Sequence, residues 1–279
     1  MSTSNQPSIQ APPARFRLRV RYAKRGRLAY LGHLELIHTI ERCIRRAALP
    51  YAVSQGFSPH MRVGYTSALP VGTASACEYY DVFLTELVPI KDAFDRLLTA
   101  TPADLAPLTA AYVDLRAPAL TADITRVRYA VKLEFRPGCV PGADVLDCML
   151  ARLRRLEEIP YTRGKKHKVL DLRRTLVTVN IVGCEGDGVA LALDTRCDNE
   201  GSLRPELLLA ALDQLLCGIE PGSEEIVSTG IQELTCIVRY RVQRTEQLIE
   251  DPEGTLRSPL PDVSTEPPGP SPATALTNI

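Results

Sequence analysis

The sequence predicts an α+β fold made of two ferredoxin-like β-α-β-β-α-β units in tandem, with disordered ends. Three observations carry this. "RFRLRVRY" (15–22) alternates strictly between apolar and basic residues, the period of a strand with one buried face. "HLELIHTIERCIRRAALP" (33–50) then switches to helical periodicity. A strand–helix–strands–helix–strand order seen up to about residue 118 recurs after residue 125.

The first unit, 15–118, opens with the strand 15–22, whose Phe16, Leu18, Val20 and Tyr22 face one way and four arginines the other. The basic turn "AKRGRLAYLG" leads to the helix, with Gly32 or His33 near its N-cap and Leu34, Ile37, Ile40 and Ile44 as its apolar stripe. Pro50 stops that helix. "YAV" and "RVGYTSAL" flank a loop, "CEYYDVFLTE" is a strand, "IKDAFDRLLTA" a helix and "AAYVDLRA" a strand.

The second unit, 125–245, begins with the strand "VRYAVKLEFRP" and the helix "GADVLDCMLARLRRLEE", with Val145, Met149, Leu153 and Leu156 along one side. "IPYTRG" and "KVLDLRRTLVTVNIVG" read as extended, and "CEGDG" turns into the strand "VALALDTR". "RPELLLAALDQLL" is a helix with Pro205 in its first turn, and "ELTCIVRYRVQR" is the closing strand. Residues 1–14 and 246–279 are rich in Pro, Ser and Thr and lack the apolar surface to offset their ordering entropy, so disorder is expected at both ends.

Composition narrows the function. The 279 residues are 45% hydrophobic, contain no Trp and carry a formal net charge of +0, which argues against indiscriminate coating of nucleic acid. The charge is uneven: residues 15–66 hold eleven Lys or Arg against two acids, while the segment from Glu246 onward holds six acids and one Arg257. An anionic partner for the first segment follows. The eight cysteines form no CxxC, each reads as a small buried hydrophobe, and no secretory leader or membrane span is apparent. A cytoplasmic protein with reduced thiols is expected.

The chemistry-bearing residues fall in three clusters. Arg15, Arg17, Arg19 and Arg21 line one strand face, followed by the turn residues Lys24, Arg25 and Arg27. These form either a phosphate-binding surface or a solvated face whose long side chains cover apolar neighbours. The loop "VSQGFSPHMR" supplies Ser54, Gln55, Gly56, Phe57, His60 and Arg62. Ser54 and Gln55 suit hydrogen bonding to a base, Phe57 stacking, and His60 and Arg62 a phosphate. The competing reading is an ordered plug with Phe57 in the core. Lys165, Lys166, His167 and Lys168 form a basic loop without P-loop spacing.

Asp171 and Arg173 share a strand face, as a salt bridge or as a site pair. His33 and His38 lie five apart, about 140° around a helix, and cannot share an ion. No metal site is expected, and no G-x-S-x-G elbow or G-x-G-x-x-G fingerprint occurs in the sequence.

The segment 19–82 resembles the N-terminal region of the radical-SAM-linked protein family, a domain of unknown function. The likeness rests on Tyr30-Leu31-Gly32-His33-Leu34-Glu35, on Val53-Ser54-Gln55-Gly56-Phe57-Ser58-Pro59-His60, and on Lys168, Asp171 and Arg173 in the second half. Gly32 stands where the family usually has Ser, and Met61 where it has a second Pro. The resemblance implies association with a separate radical S-adenosylmethionine enzyme in an RNA-handling setting. This chain has no CxxxCxxC to hold that enzyme's cluster, so no cofactor of its own is expected.

The expected function is therefore an accessory RNA-binding protein using Arg19, Lys24, Arg25, Arg27, residues 54–57, His60, Arg62, Lys165–Lys168 and Arg173. Two alternatives stand beside it: an enzyme on an anionic or nucleotide substrate with His60 as acid/base near Asp171, and a module that docks the radical enzyme. The leading reading requires the basic loops of both halves to converge around the Gly56–Phe57 bend.

Overall fold

The computed structural model describes residues 12–185, 188–198, 201–230 and 232–261. The first half contains β1 (Phe16–Lys24), a 3-10 turn (Gly26–Tyr30), α1 (His33–Arg46), β2 (Val63–Tyr65), β3 (Ala74–Leu84), α2 (Ile90–Ala100) and β4 (Pro107–Val113). A short α3 (Leu120–Asp123) leads into the second half. There follow β5 (Arg126–Phe135), α4 (Ala143–Arg155), β6 (Glu158–Arg163), β7 (Lys166–Asp171), α5 (Leu172–Thr175), β8 (Leu176–Glu185) and β9 (Gly188–Arg196). The chain continues through α6 (Pro205–Leu216), β10 (Ile226–Val227), β11 (Ile237–Glu250) and β12 (Leu256–Arg257).

The two halves share one nine-stranded sheet, ordered β4-β1-β3-β11-β5-β9-β8, with β2 beside β3 and β12 beside β11. Leaving out β12 and the strands of the smaller sheet, each half pairs antiparallel in the order fourth, first, third, second: β4-β1-β3-β2 and β11-β5-β9-β8. The seam is parallel and short, Gln243 opposite Ala74 and Arg244 opposite Ser75. A separate three-stranded sheet, β10-β6-β7, belongs to the second half.

The helix boundaries follow local chemistry. Gly32 caps α1, and its N–H donates to Glu35 Oε2 at 2.8 Å, closing the first turn. The face of α1 that packs is Leu36, Ile40, Cys43 and Ile44, while Leu34 is exposed. The expected stripe through Leu34 and Ile37 is thus rotated. In α4 the buried residues are Leu146, Leu150 and Leu153, and Val145 points outward. Each helix carries two overlapping apolar series, and the sheet beneath selects one. The apolar run of α6 is buried almost all round, which suits a helix wedged between sheets.

Three further expectations change. The run "KVLDLRRTL" is broken by the helical turn α5. Of the eight cysteines, Cys43, Cys77 and Cys236 are buried, whereas Cys148, Cys184 and Cys217 are exposed. Residues 246–261, expected in a disordered tail, complete β11, form β12 and fold back on the first half; 1–11 and 262–279 lie outside the described residues.

That returning segment alters the fate of β1. Its apolar face packs on α1 and α2 as expected, but its arginine face is covered too. Arg17 and Arg19 are 4% and 2% exposed, and both clasp the fully buried Asp81 on β3. Arg17 Nε donates to Asp81 Oδ2 at 2.9 Å and Arg19 Nε to Oδ1 at 2.8 Å. The second positive charge is met by carbonyl dipoles: Arg17 donates to Ala117 O and Pro118 O, and Arg19 to Pro259 O. Asp123 Oδ2 lies 3.7 Å from Arg19.

A second buried group ties the halves together. Arg244 on β11 donates to Glu78 Oε1 on β3 at 3.1 Å, and each is 3% exposed. Gln247 Nε2 donates to the Cys77 carbonyl at 2.6 Å, and Thr66 Oγ1 to Glu78 Oε2 at 2.9 Å. Burial alone would lower the Arg244 pKa, but the Glu78 carboxylate and Tyr129 raise it above the ordinary arginine value. Removing one member of such a pair strands the other without water. Asp81→Ala and Glu78→Ala are each expected to cost about 3–5 kcal/mol in urea unfolding, with Glu78→Gln milder because it retains an acceptor.

Candidate functional site

The sequence-predicted residues do not form one surface. Arg19 is consumed by Asp81 and Pro259 O as described. Lys24 is 1% exposed, and its Nζ donates to Ala29 O at 2.8 Å and Leu31 O at 3.1 Å, closing the 3-10 turn. Burial pushes the Lys24 pKa down. Neither side chain can reach a ligand phosphate, which corrects the expectation for both. Arg25 and Arg27 are exposed on the turn that follows.

The 54–60 loop is a closed projection. Its neck is the bridge Val53–Met61, above which Ser54 N donates to His60 O at 2.8 Å and His60 N donates to Ser54 Oγ at 3.0 Å. Gly56 takes φ +139°, a backbone state that side chains resist. Phe57 is fully exposed, so the plug reading with Phe57 in the core does not hold. Arg62, just below the neck, stacks its guanidinium 4.5 Å from the Phe83 ring centroid. Gln55 and His60 are exposed.

The neck is rooted where Ala52 N donates to Phe83 O, near the C-terminal end of β3. The seam with β11 is at Ala74 and Ser75, the opposite end. Eight strand steps separate Ser75 from Phe83, roughly 27 Å. Half of the 54–60 loop reaches at most about 14 Å. The Phe57 bend therefore cannot share a groove with the seam.

The basic cluster of the second half lies at the seam end. Lys165 is in the β6–β7 turn after Gly164 (φ +62°), and Lys166 pairs with Arg163 across that hairpin. His167 Nδ1 is 2.8 Å from Glu225 Oε1. Lys165, Lys166 and Lys168 are exposed. Arg173 and Asp171 sit at the hairpin's far end and do not pair. Arg173 bridges to Glu157 at 2.9 Å, and Asp171 Oδ1 accepts from Arg174 N at 2.9 Å as the N-cap of α5. His60 stands on the 54–60 loop of the first half and Asp171 at the end of β7 in the second, and neither lines either cavity described next. The acid/base arrangement around His60 and Asp171 finds no geometry here.

What the structure assembles instead is a cavity of about 600 Å³ on the helix side of the seam. Val127 and Tyr129 of β5 and Arg244 of β11 form its floor. His33 and the 67–71 loop wall it from the first half; Arg163, Cys197, residues 202–205 and residues 228–230 wall it from the second. A neighbouring cavity of about 360 Å³ shares Val71 and Gly230 and includes Tyr30 and the buried Glu206, whose pKa is raised by burial. Sequence reasoning missed Arg163, Arg204, Arg244 and Ser228. They sit in four separate segments, in β6, before α6, after β10 and in β11, and share no spacing that would single them out.

Among the described residues no helix is long and apolar enough to cross a membrane, and no three His, Cys, Asp or Glu cluster as metal ligands. A family model described as an uncharacterized protein conserved in bacteria (DUF2344) matches residues 17–205. No curated protein matches the sequence. Similar solved structures include a Cbf5–Nop10–Gar1 complex, at 8% identity and TM-score 0.44, aligned over 82% of this chain and 48% of that one. Others are the archaeal box H/ACA sRNP Nop10–Cbf5 complex (10% identity, TM-score 0.40, 82% and 47% covered) and an H/ACA RNP bound to a substrate RNA containing 2′-deoxyuridine (9%, 0.40, 82% and 47%). The chain spans about half the length of these solved chains.

The capping role of Asp171 has a measurable consequence. Asp171→Ala is expected to lower stability by about 1 kcal/mol in urea unfolding, the usual worth of an N-cap.

Proposed function

The chain belongs to this bacterial family of uncharacterized proteins, and for it we propose an accessory RNA-binding role, without chemistry of its own, beside a separate radical S-adenosylmethionine enzyme. The observation that carries the RNA reading is Phe57: a phenyl ring in full contact with water at the tip of a loop closed by two Ser54–His60 hydrogen bonds. Exposing a large aromatic ring costs solvation free energy, and a closed neck holds the ring in place to stack on a base. Exposed His60 and Arg62 beside it suit a neighbouring phosphate. The radical-enzyme partnership rests on the motif resemblance of residues 30–35 and 53–60. The strand order within each half supports reading the two as ferredoxin-like units fused through their edges.

Fluorescence anisotropy with single-stranded RNA, repeated across a salt series, tests the role. Phe57→Ala is expected to weaken binding roughly 5- to 150-fold, the worth of one stacked base, and to leave the salt slope unaltered. Arg62→Ala should weaken binding less and reduce the slope by about one. Wild-type affinity in Phe57→Ala would refute the stacking role. Recovery of a protein partner that survives nuclease treatment and depends on Phe57 would favour the docking module instead.

A further inference from the structure

The seam cavity has features of a ligand site that the RNA reading does not use. Its lining includes Arg163, Arg204, Arg244 and His33, and no Asp or Glu. The N-terminus of α6 opens on it through Arg204 and Pro205, with no side chain capping the helix. Its end therefore adds to the positive potential. Two buried polar groups in the lining lack partners: Ser228 Oγ, on a residue 7% exposed, and Arg244 Nε, on a residue 3% exposed. Native interiors rarely leave such groups unsatisfied, and a binding role is one explanation.

Neither orphan is a consequence of disorder in its surroundings. Ser228 is held by its N–H, which donates to Thr162 O at 2.8 Å, and Arg244 by its clasp on Glu78. The floor also carries the aromatic ring of Tyr129 and the apolar Val127. The volume of about 600 Å³ exceeds what a bare inorganic anion fills and lies within the range of small-molecule sites.

We propose that this cavity binds a nucleotide, with its phosphate at Arg163 and Arg204 near the mouth and its base or sugar on the Val127–Tyr129 floor, hydrogen-bonded by Ser228 Oγ and Arg244 Nε. The exposed Lys165 and Lys166 on the adjoining hairpin turn extend the positive surface outward from the mouth. The nucleotide is either free or one unit of a strand; the phosphate and ring chemistry recognised is the same. In the second case the inference builds on the RNA reading.

Isothermal titration of the full chain with UMP, AMP and inorganic phosphate tests the site, alongside anisotropy with a 5′-phosphorylated oligoribonucleotide. Free nucleotide binding is expected at least tenfold tighter than phosphate, and at least tenfold weaker in the double variant Arg163→Glu/Arg204→Glu. Ser228→Ala should lose about three- to tenfold, and Phe57→Ala should bind UMP and AMP as wild type does. If free nucleotides fail but the oligonucleotide loses affinity in the double variant, the site holds a unit of a strand.

Both arginines are surface-accessible, so circular dichroism should show the double variant folded. Ser228→Ala provides an independent check on the same cavity. Nucleotide and oligonucleotide affinities unchanged in the double variant and in Ser228→Ala would overturn the proposal, as would failure of every probe to bind. Oligonucleotide binding that depends on Phe57 but on neither arginine would remove the cavity site and leave the RNA reading intact.

Discussion

The ion pair between Arg244 and Glu78 is the constraint on which the rest of this structure depends. Only two residue pairs join β3 to β11, too few ladder bonds to hold two halves in one sheet by themselves. The guanidinium and carboxylate meet across that joint with almost no water on either. Gln247 reaches the Cys77 carbonyl beside them. In a medium of low dielectric each charge needs the other, so the halves cannot slide or separate without exposing an uncompensated ion. The same pair fixes the floor of the cavity, because Arg244 is both the clasp and part of the lining.

A second buried charge group lies on the opposite face of β3 from the first. Asp81 gathers Arg17 and Arg19, and the surplus positive charge is spread over carbonyls from the 117–118 segment and from Pro259. This draws the linker between the halves and the returning C-terminal segment onto one face of the first half. The opposite face carries α1 and α2. The Asp81 network and the two helices thus take opposite faces of the first half, while Arg244 and Glu78 lie on the helix side, where the cavity opens between the halves.

The geometry separates the two candidate sites. One end of β3 carries an exposed phenyl ring on a closed loop; the other carries a cavity lined by cations beside a basic hairpin. Strand length alone keeps them apart, since the loop is too short to reach the seam. A single nucleotide could occupy only one of them, whereas an extended strand has the length to touch both.

Much of the fold was legible in the sequence. The alternation in 15–22, the α1 cap at Gly32 and Pro205 at the start of α6 all act through neighbours a few residues apart, so local chemistry decides them. Of the candidate residues, the loop around Phe57 stood out by composition, and its ring is exposed. The arginine face of β1 could not be read correctly, because alternation shows that two faces differ and does not show what covers the second one. Asp81 and Pro259 lie 62 and 240 residues from Arg19. Likewise Arg163, Arg204, Ser228 and Arg244 carry no common spacing. The sequence by itself determined the elements, their order and the chemistry each segment offers; tertiary structure decided which charges are buried and which meet, since burial and long-range pairing depend on distances that chain order does not encode.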